Sequence, residues 1–242
     1  MDLVLSMVVL LVAACLQGLT GFGYSLLSLP LLILFMPVRT AVPMLCVTSI
    51  FLNLIVFLEA RKSLDVKRII PLIIAGVVSL PAGVWLLGQG SEALLRTVVG
   101  VLVTLSAAVY LTGFRIHIRN EKLAFIPVGV LSGVLNGVTG FSGPPVILFL
   151  TNQAVGKQIF RANISAYFLV LNIAVVPVFI AGGMLTGDVA TGILYRFPVV
   201  IAGALAGVKI AGSVSDKRFL RLSLILLGVL GLVTAGSGAG LF

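Results

Sequence analysis

The segment Gln17-Gly18-Leu19-Thr20-Gly21-Phe22-Gly23 interrupts an apolar run, and Asn136-Gly137-Val138-Thr139-Gly140-Phe141-Ser142-Gly143 interrupts another about half a chain length later. Both segments contain the pattern Gly-x-Thr-Gly-Phe. Each is followed by a similar apolar stretch, which reads PLLILF from Pro30 and PPVILF from Pro144. A match of this kind predicts that the chain arose by duplication of one unit.

The composition excludes a soluble globular fold. Of the 242 residues, 60% are apolar and 10% are charged, whereas a soluble domain has roughly 25% charged residues. Most apolar runs approach the length of about 20 residues that spans a bilayer as an α-helix. The sequence therefore predicts an all-α, polytopic membrane protein with apolar segments near 3–16, 24–36, 41–59, 69–88, 93–113, 123–136, 144–155, 162–184, 193–213 and 219–236.

The N-terminal segment is predicted to be the first helix of this bundle and not a secretion signal. A signal peptide begins with basic residues, but Asp2 is the one charged residue before Arg39. The duplicated pattern also gives this segment a counterpart inside the chain.

The duplication extends towards the C-terminus, where Ala82-Gly83-Val84 resembles Ala206-Gly207-Val208. We therefore expect one transmembrane domain over 1–242, with a first repeat at 1–113 and a second at 120–242. Each repeat contains five apolar segments, an odd number, so the second repeat would be inverted in the membrane relative to the first. Paired short helices in corresponding places of two inverted repeats are typical of secondary transporters, whose binding site lies near the midplane.

Basic residues predict the orientation, because Lys and Arg are enriched in cytoplasmic loops. If the loop at 60–68 is cytoplasmic, 13 of the 16 basic residues lie on that side, and Arg39, Arg96 and Arg196 are the exceptions. Both termini then lie outside. The segments 24–36 and 144–155 are short, and charge leaves open whether each crosses the membrane or re-enters it.

The two glycine-rich breaks form the predicted binding site. Non-helical backbone at membrane depth is tolerated where it is buried in protein or lines a wet cavity. Glycine turns leave backbone N–H groups open at the positive end of the following helix, which favours a small anion. Nearby hydroxyl and amide groups add donors. The predicted substrate-binding residues are Gln17, Thr20, Gly21, Phe22, Gly23, Asn53, Asn136, Thr139, Gly140, Phe141, Ser142, Gly143 and Asn172.

These residue types also have structural interpretations. Glycines permit close helix packing and threonine hydroxyls bond to backbone, so it is the matched pair of breaks that favours a site. Asn53 and Asn172 either face the cavity or bond between helices. Arg39 and Arg161 are predicted electrostatic or gating residues on opposite sides of the membrane, although an interfacial arginine also reaches lipid headgroups.

The residues that are missing argue against several activities. Apart from Glu59, near a helix end, no Asp or Glu lies within a predicted span, which disfavours cation transport and carboxylate proton relays. One histidine and two cysteines without HExxH or CxxC spacing predict no metal, no cofactor and no enzymatic activity. The alternatives left open are a permease subunit of a multi-component complex and, less favoured, an intramembrane enzyme. The basic residues fall between spans, so we expect no nucleic-acid partner.

The two breaks, the basic loop at 60–68 and the small-residue stretches resemble the sulfite exporter TauE/SafE family, also called TSUP transporters. The resemblance covers essentially the whole chain. It implies export of a small sulfur-containing anion, such as sulfite, sulfoacetate or another sulfonate, across the bacterial cytoplasmic membrane. The expected partners are this anion and the lipid bilayer, and a homodimer stays open.

Overall fold

A computed structural model describes residues 2–112, 121–152, 156–211, 228–229 and 231–240 of the chain. Nine α-helices lie within these ranges, and a further helical stretch covers 231–238. The nine are α1 (Asp2–Thr20), α2 (Tyr24–Leu32), α3 (Val38–Ala60), α4 (Val66–Gln89), α5 (Glu92–Thr112), α6 (Glu121–Thr139), α7 (Gly143–Asn152), α8 (Lys157–Ala181) and α9 (Gly187–Ile210). The described residues contain no β-strand.

The predicted class, an all-helical polytopic membrane protein, is confirmed. Six of the described helices are long and apolar enough to cross a membrane, namely α1, α3, α4, α5, α8 and α9. Helices α2 and α7 have nine and ten residues, so the segments predicted to be short are short. The predicted segment 219–236 lies in part outside the described residues, and residues 113–120 lie outside them entirely.

Polarity is distributed as expected for a protein in lipid. Large apolar side chains such as Val78, Trp85 and Leu194 are more than 60% exposed, so the outer surface of the bundle is apolar. Amide side chains are found inside, where Gln17 and Asn136 are at most 4% exposed. A buried amide needs a hydrogen-bond partner, and the interior of this bundle therefore has to supply a polar network.

Two helix pairs cross closely at small residues. Helix α4 packs along α6, and α1 packs along α9. A Cβ atom added to Gly83 would collide with the carbonyl oxygen of Val134, and one added to Gly207 would collide with the carbonyl oxygen of Cys15. Backbones approach this closely only where the facing side chain is absent, so these glycines set the distance between the helices.

The helix contacts follow the predicted duplication. Helices α1 and α6 carry the matched breaks, and each packs against the fourth helix of the opposite half, α9 or α4. Helices α3 and α8 occupy corresponding places in the two halves and pack against each other at the centre. The two halves therefore exchange equivalent contacts, while their inverted orientation in the membrane stays a prediction.

We expect Gly83→Ala to lower the free energy of unfolding by about 1–3 kcal/mol, because the added methyl group must push α4 away from α6. In an unconstrained helix interior the same change would stabilise by about 1 kcal/mol. Thermal unfolding of the purified protein in detergent measures the difference. Gly187→Ala is the matched control, since nothing lies within 4 Å of a Cβ added there. Equal melting temperatures for wild type and Gly83→Ala would contradict the close crossing.

Candidate functional site

Each glycine-rich break forms a tight elbow between two helices. Gly21 has a φ of 90° and Gly140 a φ of 68°, values in the left-handed region that glycine adopts without a steric penalty. Gly23, with a φ of 105°, reverses the chain again before α2. The second glycine of each pattern, Gly21 or Gly140, is therefore required by the backbone of the elbow.

The threonines of the pattern hold these elbows together. The hydroxyl of Thr20 lies 2.8 Å from the carbonyl oxygen of Leu16 and 2.7 Å from that of Phe22. The hydroxyl of Thr139 makes the same two contacts in the other elbow, with Leu135 at 2.7 Å and Phe141 at 3.2 Å. These hydroxyls are occupied by backbone groups at the end of a helix, where carbonyls otherwise lack partners.

A cavity of about 40 Å³ lies between the two elbows, larger than the roughly 10–15 Å³ that one water molecule needs. Of the predicted substrate-binding residues, nine line it: Gln17, Phe22, Gly23, Asn53, Asn136, Gly140, Phe141, Ser142 and Asn172. The predicted residues Thr20, Gly21 and Thr139 are not among the described lining residues, and the environment of Gly143 lies outside what the structure describes. The structure thus brings both breaks, together with Asn53 and Asn172, to one cavity. Thr20 and Thr139 do not line this cavity.

The buried amides form two equivalent pairs. Gln17 Nε2 donates to Asn53 Oδ1 at 2.7 Å, and Asn136 Nδ2 donates to Asn172 Oδ1 at 3.2 Å. Both pairs are separated by 36 residues in the sequence. Each pair uses the oxygen of the asparagine on α3 or α8, and the Nδ2 groups of Asn53 and Asn172 have no hydrogen-bond partner among the described residues. Two N–H₂ donors are therefore available at the cavity.

The first turn of α2 adds backbone donors. Gln17 Oε1 accepts a hydrogen bond from the N–H of Tyr24 at 3.3 Å, whereas the N–H groups of Ser25 and Leu26 have no partner within the described chain. Both residues line the cavity. The second elbow differs here, because Pro145 in the first turn of α7 has no N–H to offer. The two halves of the site are therefore chemically unequal.

Sequence reasoning missed Tyr110 and Ser25, which also line the cavity. The hydroxyl of Tyr110 is buried without a partner, and its ring lies 6.1 Å from that of Phe22 between centroids. Phe22 also contacts Phe160 at 6.2 Å, so three aromatic rings close the first elbow. Tyr110 lies near the end of an apolar span with no pattern around it, so the sequence offered no signal for its position.

Arg161 holds the first elbow from behind. Its side chain is 3% exposed and its Nη2 donates to Glu59 Oε2 at 2.7 Å. Nη1 donates to the carbonyl oxygen of Leu19 at 3.1 Å, and Nη2 to that of Gly18 at 3.3 Å. These carbonyls belong to the last turn of α1, where a positive charge is favourable. Arg161 does not line the cavity, and its charge is matched by Glu59.

Arg39 lies at the other end of α3 from Glu59, so the two arginines are far apart. Its Nε donates to the carbonyl oxygen of Leu87 at 3.1 Å, and its Nη2 to those of Gly88 and Gly90, each at 2.7 Å. Arg39 borders a separate, open cavity of about 290 Å³ beside the start of α9. The structure therefore places Arg39 at the end of α4 and away from the central cavity.

The lining of the central cavity carries polar but uncharged side chains, and within the described residues no Asp, Glu, Lys, Arg or His is among them. The part of the chain that the structure describes contains no group of three His, Cys, Asp or Glu side chains placed to hold a metal ion. An uncharged polar cavity between two interrupted helices, inside a bundle of membrane-length helices, is the arrangement of a membrane transport protein.

The chain belongs to the sulfite exporter TauE/SafE family, whose family model matches residues 6–234. The family predicted from the two breaks is thus confirmed, and the protein is a multi-pass membrane transporter of the sulfite-exporter type. A transporter family fits the expectation that the chain is not an enzyme. Searches among curated proteins and among solved structures gave no significant match.

We expect Thr139→Val to lower the free energy of unfolding by about 1–2 kcal/mol, because the hydroxyl that contacts both the Leu135 carbonyl and the Phe141 carbonyl is lost. Thr139→Ser keeps the hydroxyl and is the matched control, with a smaller loss. Chemical denaturation in detergent measures both. A Thr139→Val protein as stable as wild type would show that the hydroxyl does not hold the elbow.

Proposed function

We propose that the chain is a secondary transporter that exports a small sulfur-containing oxyanion, such as sulfite, sulfoacetate or another sulfonate, across the bacterial cytoplasmic membrane. The anion binds between the two elbows, and the two helix bundles rock around it so that the site opens to each side in turn. Both termini lie outside in this proposal, as the distribution of basic residues predicts.

The observation that carries this proposal is the pair of unpartnered Nδ2 groups of Asn53 and Asn172 at one cavity. Their oxygens are already occupied by Gln17 and Asn136, so the asparagines present donors towards an occupant. The backbone N–H groups of Ser25 and Leu26 add to this set. A sulfonate or sulfite group presents three oxygens in a compact cluster, which matches several donors that converge on one cavity from α2, α3 and α8.

The membrane potential fits the direction of transport. Moving one negative charge through about 100 mV involves about 2.3 kcal/mol, and an interior that is negative favours outward movement of an anion. No carboxylate lines the cavity in the described structure, so this charge movement is an adequate driving force without a coupled cation.

We expect Asn53→Leu and Asn172→Leu each to weaken anion binding by about 1.5–3 kcal/mol, the scale of a hydrogen bond to a charged group. Titration calorimetry with sulfite measures the change. Asn163→Leu is the matched control, because Asn163 is also buried on α8 but its Oδ1 accepts from the N–H of Asp65 and it does not line the cavity. Equal losses in all three variants, or none, would remove the asparagines from the site.

Reconstitution into liposomes tests transport itself. The purified chain alone should move sulfite down its gradient, and an inside-negative potential should speed its outward flux. A permease subunit would show no flux without its partner proteins, and an enzyme would change the anion chemically. Either result would refute the proposed secondary transport.

A further inference from the structure

Asn136 carries a hydrogen-bond acceptor that no described residue uses. Its Nδ2 lies 3.2 Å from Asn172 Oδ1 and 3.4 Å from Ser142 Oγ, but its Oδ1 is buried and has no partner. The matched amide in the first elbow is different, because Gln17 Oε1 accepts the N–H of Tyr24. The second elbow therefore leaves one buried oxygen without a partner, on a side chain that lines the cavity.

An unpaired buried acceptor is costly, because the group has lost water without gaining another donor. A donor that arrives with the bound ligand removes this cost. Since Asn136 lines the same cavity as the free Nδ2 groups of Asn53 and Asn172, one ligand can accept from the two Nδ2 groups and donate to Asn136 Oδ1. The site then matches a ligand that has both acceptors and one donor.

The charge of the lining limits the charge of the ligand. No charged side chain is among the described lining residues, and the buried Arg161 is paired with Glu59. The cost of taking an ion out of water rises steeply with its charge, and neutral donors compensate a single charge far better than two. A monoanion is therefore favoured over a dianion.

We infer that the cavity selects a singly charged oxyanion that carries one hydrogen-bond donor, so that sulfite is bound as hydrogen sulfite and not as the dianion. This inference rests on the proposed function and narrows its ligands to hydrogen sulfite, because sulfoacetate is a dianion at neutral pH and a simple sulfonate carries no hydrogen-bond donor. Two oxygens of the anion accept hydrogen bonds from the Nδ2 groups of Asn53 and Asn172, and its O–H group donates a hydrogen bond to Asn136 Oδ1. The substrate then carries its own proton across the membrane, together with one negative charge, and no proton relay in the protein is needed.

Three anions test this selection on the wild-type protein. Sulfamate and methanesulfonate have nearly the same size and the same single charge, but sulfamate has N–H donors where methanesulfonate has a methyl group. Sulfate is a dianion without a donor. We expect titration calorimetry to show sulfamate binding roughly tenfold more tightly than methanesulfonate, the scale of one hydrogen bond, and sulfate binding more weakly than both.

The pH dependence gives a second readout. Sulfite should bind more tightly as the pH falls from 8 to 6, in proportion to its hydrogen sulfite fraction. Titratable groups around Asn136 include Tyr110 on α5, Cys46 on α3, Tyr167 on α8 and Tyr24 on α2, with Lys67 at the start of α4 and the Glu59–Arg161 pair behind the first elbow. Titration of any of them would also change the binding of methanesulfonate and sulfamate, whose charge is constant over this range, so a flat profile for these two assigns the effect to the substrate.

Two variants assign the donor contact to Asn136. In Asn136→Leu the sulfamate-to-methanesulfonate preference should fall to about one, whereas Asn172→Leu removes a donor and should weaken both anions while keeping the preference. Methanesulfonate or sulfate bound as tightly as sulfamate by the wild type would overturn the inference and leave the proposed function standing. If none of the anions binds, the proposed function fails and the inference with it.

Discussion

The structure depends on one constraint, which is that polar groups inside a membrane protein must find partners within the protein. Breaking a helix at Gly21 or Gly140 exposes carbonyl and N–H groups that lipid cannot satisfy. Thr20, Thr139 and Arg161 take up the carbonyls, and Gln17 takes up the N–H of Tyr24. Two of the side chains that keep a buried polar atom without a partner, Tyr110 and Asn136, line the central cavity.

The repeated motif has two functions, which different residues of the motif perform. The glycines and threonines of the pattern build the elbows, whereas the amides at its edges, Gln17 and Asn136, reach the cavity. Each of these amides orients an asparagine on the neighbouring central helix by occupying its oxygen. The geometry of the cavity is therefore set by two pairs, Gln17 with Asn53 and Asn136 with Asn172, whose members lie 36 positions apart. The contact between α3 and α8 brings the two pairs together.

The fold class and most of the cavity follow from sequence, because apolar length determines helices in a bilayer and a duplicated break marks corresponding places. The sequence left open whether Asn53 and Asn172 face a cavity or bond between helices, and in the structure each does both. The positions of the threonine hydroxyls and of Tyr110 were not predictable. They depend on which way a side chain turns at an elbow and on how α5 packs beside it, and neither leaves a periodic pattern in the sequence.

The ion pair between Arg161 and Glu59 makes the two halves mechanically different. Beside Gly140, the position that corresponds to Arg161 is taken by Val42, and the neighbouring atoms are the thiol of Cys46 and the carbonyl and a methyl group of Val42. Parting α8 from α1 must break the two contacts of Arg161 with carbonyls, and parting α8 from α3 must break the ion pair. In the transport cycle that we propose, opening beside the first elbow therefore separates a charged side chain from its partners, whereas opening beside the second elbow separates neutral groups.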